Sequence, residues 1–147
     1  ALVIQCHVFG MFLPAFFSGK LVDRFGPAAI SVAGAGVFAV SIALAATDTV
    51  FTHFLVSSLL LGAGWNLMYV AGTTLIARSH TDSERGRVQG AAELGIALVA
   101  ALSAIASGGL LAYLGWAAVN LGAIPLLICA VGISIWFSLS SEAAKSS

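Results

Sequence analysis

Apolar residues run along this chain in long blocks rather than in alternation, and few polar positions interrupt them. No Asp, Glu, Lys or Arg occurs in 1–19, 25–47, 49–77 or 94–141, stretches of 19, 23, 29 and 48 residues. A helix crossing a ~30 Å hydrocarbon core needs about 20 mostly apolar residues, at ~1.5 Å rise each. The first three stretches hold one crossing apiece. The fourth would be roughly 70 Å long as a single helix, more than twice the core thickness, so it must turn back. Tyr113-Leu114-Gly115-Trp116 suits that turn, because glycine permits it and two aromatics favour an interface. The pattern predicts five helices, near 1–18, 28–46, 52–77, 88–112 and 117–139, followed by a polar tail over 140–147.

Barrel strands would alternate apolar and polar residues over about 10 positions, which segments such as 94–106 do not. A buried soluble core would need polar helices around it, and no residues remain to build them. Composition agrees. The 147 residues are 60% hydrophobic and 8% charged, against roughly 25% charged in a soluble domain. That excludes a cytosolic enzyme, a secreted disulfide scaffold and a nucleic-acid binder together. The formal net charge is zero, so no electrostatic partner is implied. Cys6 and Cys129 both lie in apolar segments and support neither a disulfide nor a metal site. The expected class is an all-α membrane protein, with the lipid bilayer as its first partner and no cofactor.

Basic residues set the orientation. Lys20 and Arg24 fall in the 19–27 connection, Arg78, Arg85 and Arg87 in the 78–87 connection, and Lys145 in the tail. The connections 47–51 and 113–116 hold none. All six basic residues thus fall on one side of a five-helix zigzag, which the positive-inside rule makes cytoplasmic. The expectation is a multi-pass protein of the cell membrane with a cytoplasmic C-terminus. The chain starts without Met or a basic leader and is apolar from its first residue, so it reads as a fragment cut at or inside its first helix.

Two motifs sit at the basic connections. Gly19-Lys20-Leu21-Val22-Asp23-Arg24-Phe25-Gly26 resembles the loop signature of the major facilitator superfamily, G-x-L-x-D-R-x-G, with Gly19, Leu21, Asp23, Arg24 and Gly26 matching. The basic residues that usually follow are replaced by Pro27 and Ala28. Arg85-Gly86-Arg87-Val88-Gln89-Gly90 resembles the second cytoplasmic loop pattern, through Arg85 and Gly90. The resemblance implies most of one six-helix half of a twelve-helix transporter, lacking the half's first helix. The weakened loop motif, the absent glycine-proline motif and the short tail favour the C-terminal half, helices 8 to 12. The missing N-terminal half and a small-molecule substrate are the partners this implies.

The loop motif also has a plain physical reading. Gly19 suits a close passage of two helix ends. Asp23 can dock on the positive N-terminus of a neighbouring helix and release it when the halves rock. The alternative is a polar turn that only sets topology. A phosphate loop at Gly19-Lys20 fails because Leu21 replaces the required Ser or Thr.

Depth selects further candidates. His7 lies 12 residues before Gly19 and Asn66 12 before Arg78, which puts both roughly 18 Å in, near the midplane. Trp65, Tyr69 and Thr73 follow at i, i+4 spacing. These five residues are the candidate substrate cavity, the alternative being interhelical hydrogen bonding and aromatic packing. His7 shares its face with Met11, Pro14 and Ser18, and is a better interior candidate than Gln5, about 200° away. Glu93, about 9 Å above Arg87, is the one acid inside a span. His7 and Glu93 are therefore the candidate ionisable groups, with pairing of Glu93 to Arg85 or Arg87 as the alternative. The expected function is alternating-access transport of a small solute, with proton coupling through His7 as a further expectation. A non-transport assembly or anchoring module and an intramembrane enzyme remain the other readings.

Overall fold

The structure, a computed structural model, describes residues 1–47 and 50–146, with side chains described except at 137, 138 and 140–146. Its elements are α1 (Leu2–Phe12), α2 (Ala15–Phe25), α3 (Pro27–Thr47), α4 (Phe51–Ala77) and α5 (Arg85–Ser146). Asp48 lies outside the described residues, as do Ser147 and the side chain of Lys145.

Proline and glycine place the breaks. Pro14 has no N–H to give the preceding turn, so α1 ends before it and the ladder resumes with the Phe17 and Ser18 amides, which donate to the Pro14 carbonyl at 3.0 and 2.8 Å. Together α1 and α2 form a 24-residue apolar span, Leu2–Phe25. This span is longer than the predicted 1–18, and it carries the Gly19–Phe25 motif on a helix rather than in a loop. Gly26, at φ 85°, makes the turn, and Pro27 opens α3 where its missing donor costs nothing. Within α5, Gly115 has φ 80° and ψ −177°, which divides the helix into a first arm, 85–114, and a second arm, 116–146. The backbone stays helical through the expected tail as far as Ser146.

Four helical segments are long and apolar enough to cross a membrane, and the last, Arg85–Trp136, is 52 residues long and contains the Gly115 break. Their packing inverts that of a soluble bundle. Apart from Val22 and Ile30, most buried positions are small or polar, among them Gly10, Ser18, Gly34, Ser41, Ser57 and Asn66. The large apolar side chains face outward, Phe16 at 84% exposure and Ile105 at 74%. Water would drive those side chains inward, whereas lipid rewards close approach of small residues instead.

Helix α4 lies at the centre, with α1 against one face and α3 against another. A Cβ on Gly62 would collide with the His7 carbonyl and stand 2.8 Å from the Met11 nitrogen. A Cβ on Gly64 would stand 2.9 Å from the Gly34 carbonyl oxygen and 3.0 Å from the Phe38 nitrogen. Two residues apart in a helix means about 200° around it, so these glycines admit α1 and α3 on nearly opposite sides. Ser41 donates to the Ser57 carbonyl at 2.7 Å and ties α3 to α4.

The second arm of α5 packs antiparallel to α3. At one end the Trp116 indole N–H donates to the Ala45 carbonyl at 3.2 Å, with the Trp116 ring edge-on to Phe54. At the other end the buried Ser31 and Ser134 hydroxyls lie 2.8 Å apart. The first arm is open by comparison, since residues 94–106 are all exposed.

Candidate functional site

The loop motif forms the end of the first span. Val22, a variable position of the motif, is its anchor: it is buried with Ile30 and Ala71, beside Leu21, Leu67 and Val70. This packing turns Asp23 outward, where its Oδ1 lies 3.4 Å from Nη2 of Arg78 at the end of α4. Among the described residues Arg78 is the ion-pair partner of Asp23. Arg24 lies over the Phe25 ring, 5.2 Å from its centroid. Gly19 does not mark a close passage within this chain, because a Cβ there would meet nothing within 4 Å. Arg85 begins α5 and Gly90 follows on its exposed first turns. Just ahead of them the Thr81 amide and hydroxyl both donate to Glu84 Oε2, at 3.2 and 2.7 Å. Those donors hold the Glu84 carboxyl below its ordinary range.

The five candidate cavity residues separate into two places. His7 Nδ1 lies 3.2 Å from the Ser58 carbonyl oxygen. A carbonyl only accepts, so Nδ1 carries the proton and His7 ties α1 to α4. The Ser58 hydroxyl returns a bond to the Val3 carbonyl at 3.0 Å. Asn66 is buried at 5% exposure, and its Oδ1 has no partner among the described residues. Its helical position, seven residues after Leu59, puts it on the face of α4 that meets α1.

Trp65, Tyr69 and Thr73 occupy the other place. The Trp65 and Tyr69 rings stack with centroids 4.8 Å apart and planes 12° apart. The Tyr69 hydroxyl donates to Glu93 Oε1 at 3.0 Å, the contact that joins α4 to the first arm of α5. Glu93 therefore turns to Tyr69 rather than to Arg85 or Arg87, neither of which forms an ion pair among the described residues. The Thr73 hydroxyl bonds back to the Tyr69 carbonyl at 2.9 Å.

Beside that contact lies a cleft of about 200 Å³, lined by Thr73, Ile76, Gln89, Ala92, Glu93 and Ile96. Gln89 was missed in the sequence, although it stands one turn before Glu93 on the same face. A second cavity of about 130 Å³ is lined by Ser41, Ser57, Ser58, Trp116 and Asn120 among others. Isolated serines in apolar spans give no sequence signal that separates cavity lining from helix packing, so this second group was not legible either.

The family model of the Major Facilitator Superfamily matches residues 1–147. The chain is similar to the riboflavin transporter RfnT of Brucella anthropi, 36% identical over 127 residues, covering 86% of this chain and 32% of that protein. It is similar to the MFS-type transporter YddS of Bacillus subtilis, 32% identical over 139 residues, covering 92% of this chain and 32% of that protein. It is also similar to the methylenomycin A resistance protein of Bacillus subtilis, 35% identical over 133 residues, covering 88% and 28% respectively. No solved structure matches. The chain spans about a third of the length of the curated relatives it matches. A family match over the whole chain, on a bundle that packs its small residues inside and turns its apolar ones outward, makes this a multi-pass membrane protein of the Major Facilitator Superfamily.

Proposed function

We propose that the chain is part of an alternating-access carrier for a small solute, completed by a further half-bundle, and that it supplies helices 8 to 12. The observation that carries this reading is Glu93. It is exposed on the first arm of α5, flanked by apolar residues, and bonded to the Tyr69 hydroxyl. A carboxylate in a membrane segment is costly against lipid and belongs on a water-filled cavity or against a partner. Trp65, Tyr69, Thr73 and Glu93 then line this half's side of the solute path. Two relatives support a small solute without fixing it, one a riboflavin transporter and the other a methylenomycin A resistance protein.

Within this reading the Arg-rich connections and the C-terminus face the cytoplasm. His7 and Glu93 are the two candidate proton carriers within the spans, each held to α4 by one hydrogen bond. The Asp23–Arg78 pair acts as the latch that opens as the halves rock.

The test is side-specific labelling in the full-length protein with Cys6 and Cys129 replaced by serine. A cysteine at Thr73 is expected to react with a membrane-impermeant maleimide from the cytoplasmic side, and one at Asp48 from the outside. A position 73 closed to the reagent from both sides overturns the carrier reading.

A further inference from the structure

We infer that the break in the first span at Pro14 holds a dehydrated alkali cation, seated between Gly10, Ser18 and Asn66. The site does not use Glu93, so it stands or falls apart from the carrier reading.

Spacing brings the three residues together. Gly10, Pro14, Ser18 and Val22 recur every four residues and are all buried, so they form one face of α1 and α2. That face lies on α4: a Cβ on Gly62 would stand 3.0 Å from the Gly10 carbonyl carbon, and Val22 packs with Ala71. Asn66 comes one turn after Gly62, between these two contacts, and so stands opposite Pro14 and Ser18. Side chains on a helix lean towards its N-terminus. Asn66 therefore reaches back towards Gly10, and Ser18 towards the Pro14 turn.

Each residue contributes an oxygen without a partner. The Gly10 carbonyl would accept from residue 14 in a continuous helix, but Pro14 has no N–H, and among the described residues no other backbone amide replaces it. Ser18 Oγ and Asn66 Oδ1 are buried without a hydrogen bond among the described residues, at 1% and 5% exposure. In a hydrocarbon core such groups are costly unless something occupies the space between them. Charge selects the occupant. These oxygens sit at the C-terminal end of α1, the negative pole of its dipole, which favours a cation. No Asp or Glu occurs in 1–19 or 49–77, and divalent cations take carboxylates. A singly charged ion held by carbonyl, amide and hydroxyl oxygens fits that neutral set.

The test uses the purified full-length protein in nanodiscs, with sodium as the probe replacing choline at constant ionic strength. Sodium that binds only the folded bundle raises its melting temperature with concentration. A saturable rise is expected as sodium replaces choline. Asn66→Leu and Ser18→Ala each remove one oxygen and are expected to weaken the apparent sodium affinity at least tenfold. Pro14→Ala returns an N–H to the Gly10 carbonyl, and is expected to raise the sodium-free melting temperature while erasing the sodium response. A parental melting temperature indifferent to sodium overturns the inference and leaves the three oxygens to bound water. So does an unchanged sodium affinity in Asn66→Leu or, should that variant not accumulate, in Ser18→Ala. Neither result moves labelling at position 73, on which the carrier reading rests.

Discussion

Asp23 of α2 and Arg78, the residue that caps α4, form an ion pair with 3.4 Å between Oδ1 and Nη2 across 55 residues of sequence. Their side chains are 77% and 55% exposed. A pair so open to water contributes about 0–1 kcal/mol, too little to hold a fold together. It can therefore break and re-form without unfolding the bundle, which suits a latch. Asp23→Asn in the full-length protein is expected to shift the melting transition slightly and to lower transport severalfold. Exchanging the charges, Asp23→Arg with Arg78→Asp, is expected to recover part of that loss. Normal uptake by Asp23→Asn vesicles would sink the latch.

The α1–α4 crossing depends on the missing side chain of Gly62. An added methyl would meet backbone atoms of His7, Gly10 and Met11, which cannot rotate away. Gly62→Ala is expected to destabilise by about 1–3 kcal/mol, the usual cost of overpacking. Gly72→Ala, where a Cβ meets nothing within 4 Å, is expected to stay within about 0.5 kcal/mol of the parent. Thermal unfolding in detergent compares the two, and equal melting temperatures would refute the close crossing.

His7 is placed as a tie between helices. Replacing it by Leu removes the donor to the Ser58 carbonyl, at an expected cost of about 0.5–1.5 kcal/mol. Asn, whose amide nitrogen can stand in for Nδ1, is expected to restore most of the stability. His7→Gln is expected to leave the pH profile of uptake in place. Loss of that pH dependence at unchanged stability would instead make His7 the proton carrier.

Glu84 gives a pH dependence outside the apolar spans. Its carboxyl is depressed first by the Thr81 hydroxyl and then by the Thr81 amide. A group depressed in the folded state stabilises above its unfolded pKa, about 4.3 for Glu, and that contribution is lost as pH falls through the lower folded value. The Glu84 carboxyl is expected to titrate below a glutamate in an unstructured peptide when followed by carbon NMR. Thr81→Ala is expected to raise its midpoint, and an unmoved midpoint would show that the turn at Thr81 does not form.

The linear pattern determined the class of protein and where its apolar segments lie. A charge-free stretch of 48 residues is too long for one crossing, and the break at Gly115 falls where glycine and aromatics made a turn cheapest. Length and hydrophobicity are properties of consecutive residues, so one dimension suffices to read them. The faces of the helices were decided only in three dimensions. In lipid both the packed side and the outward side of a span are apolar, so no amphipathic stripe marks the interior. Trp65 and Asn66 are neighbours in sequence, yet about 100° of helical rotation separates an exposed aromatic from a buried amide. The same holds for the bonds of Asp23 to Arg78, His7 to Ser58 and Tyr69 to Glu93, each of which joins different helices. The His7–Ser58 bond follows from the glycines that let α1 close on α4, a relation between backbones that no single segment contains.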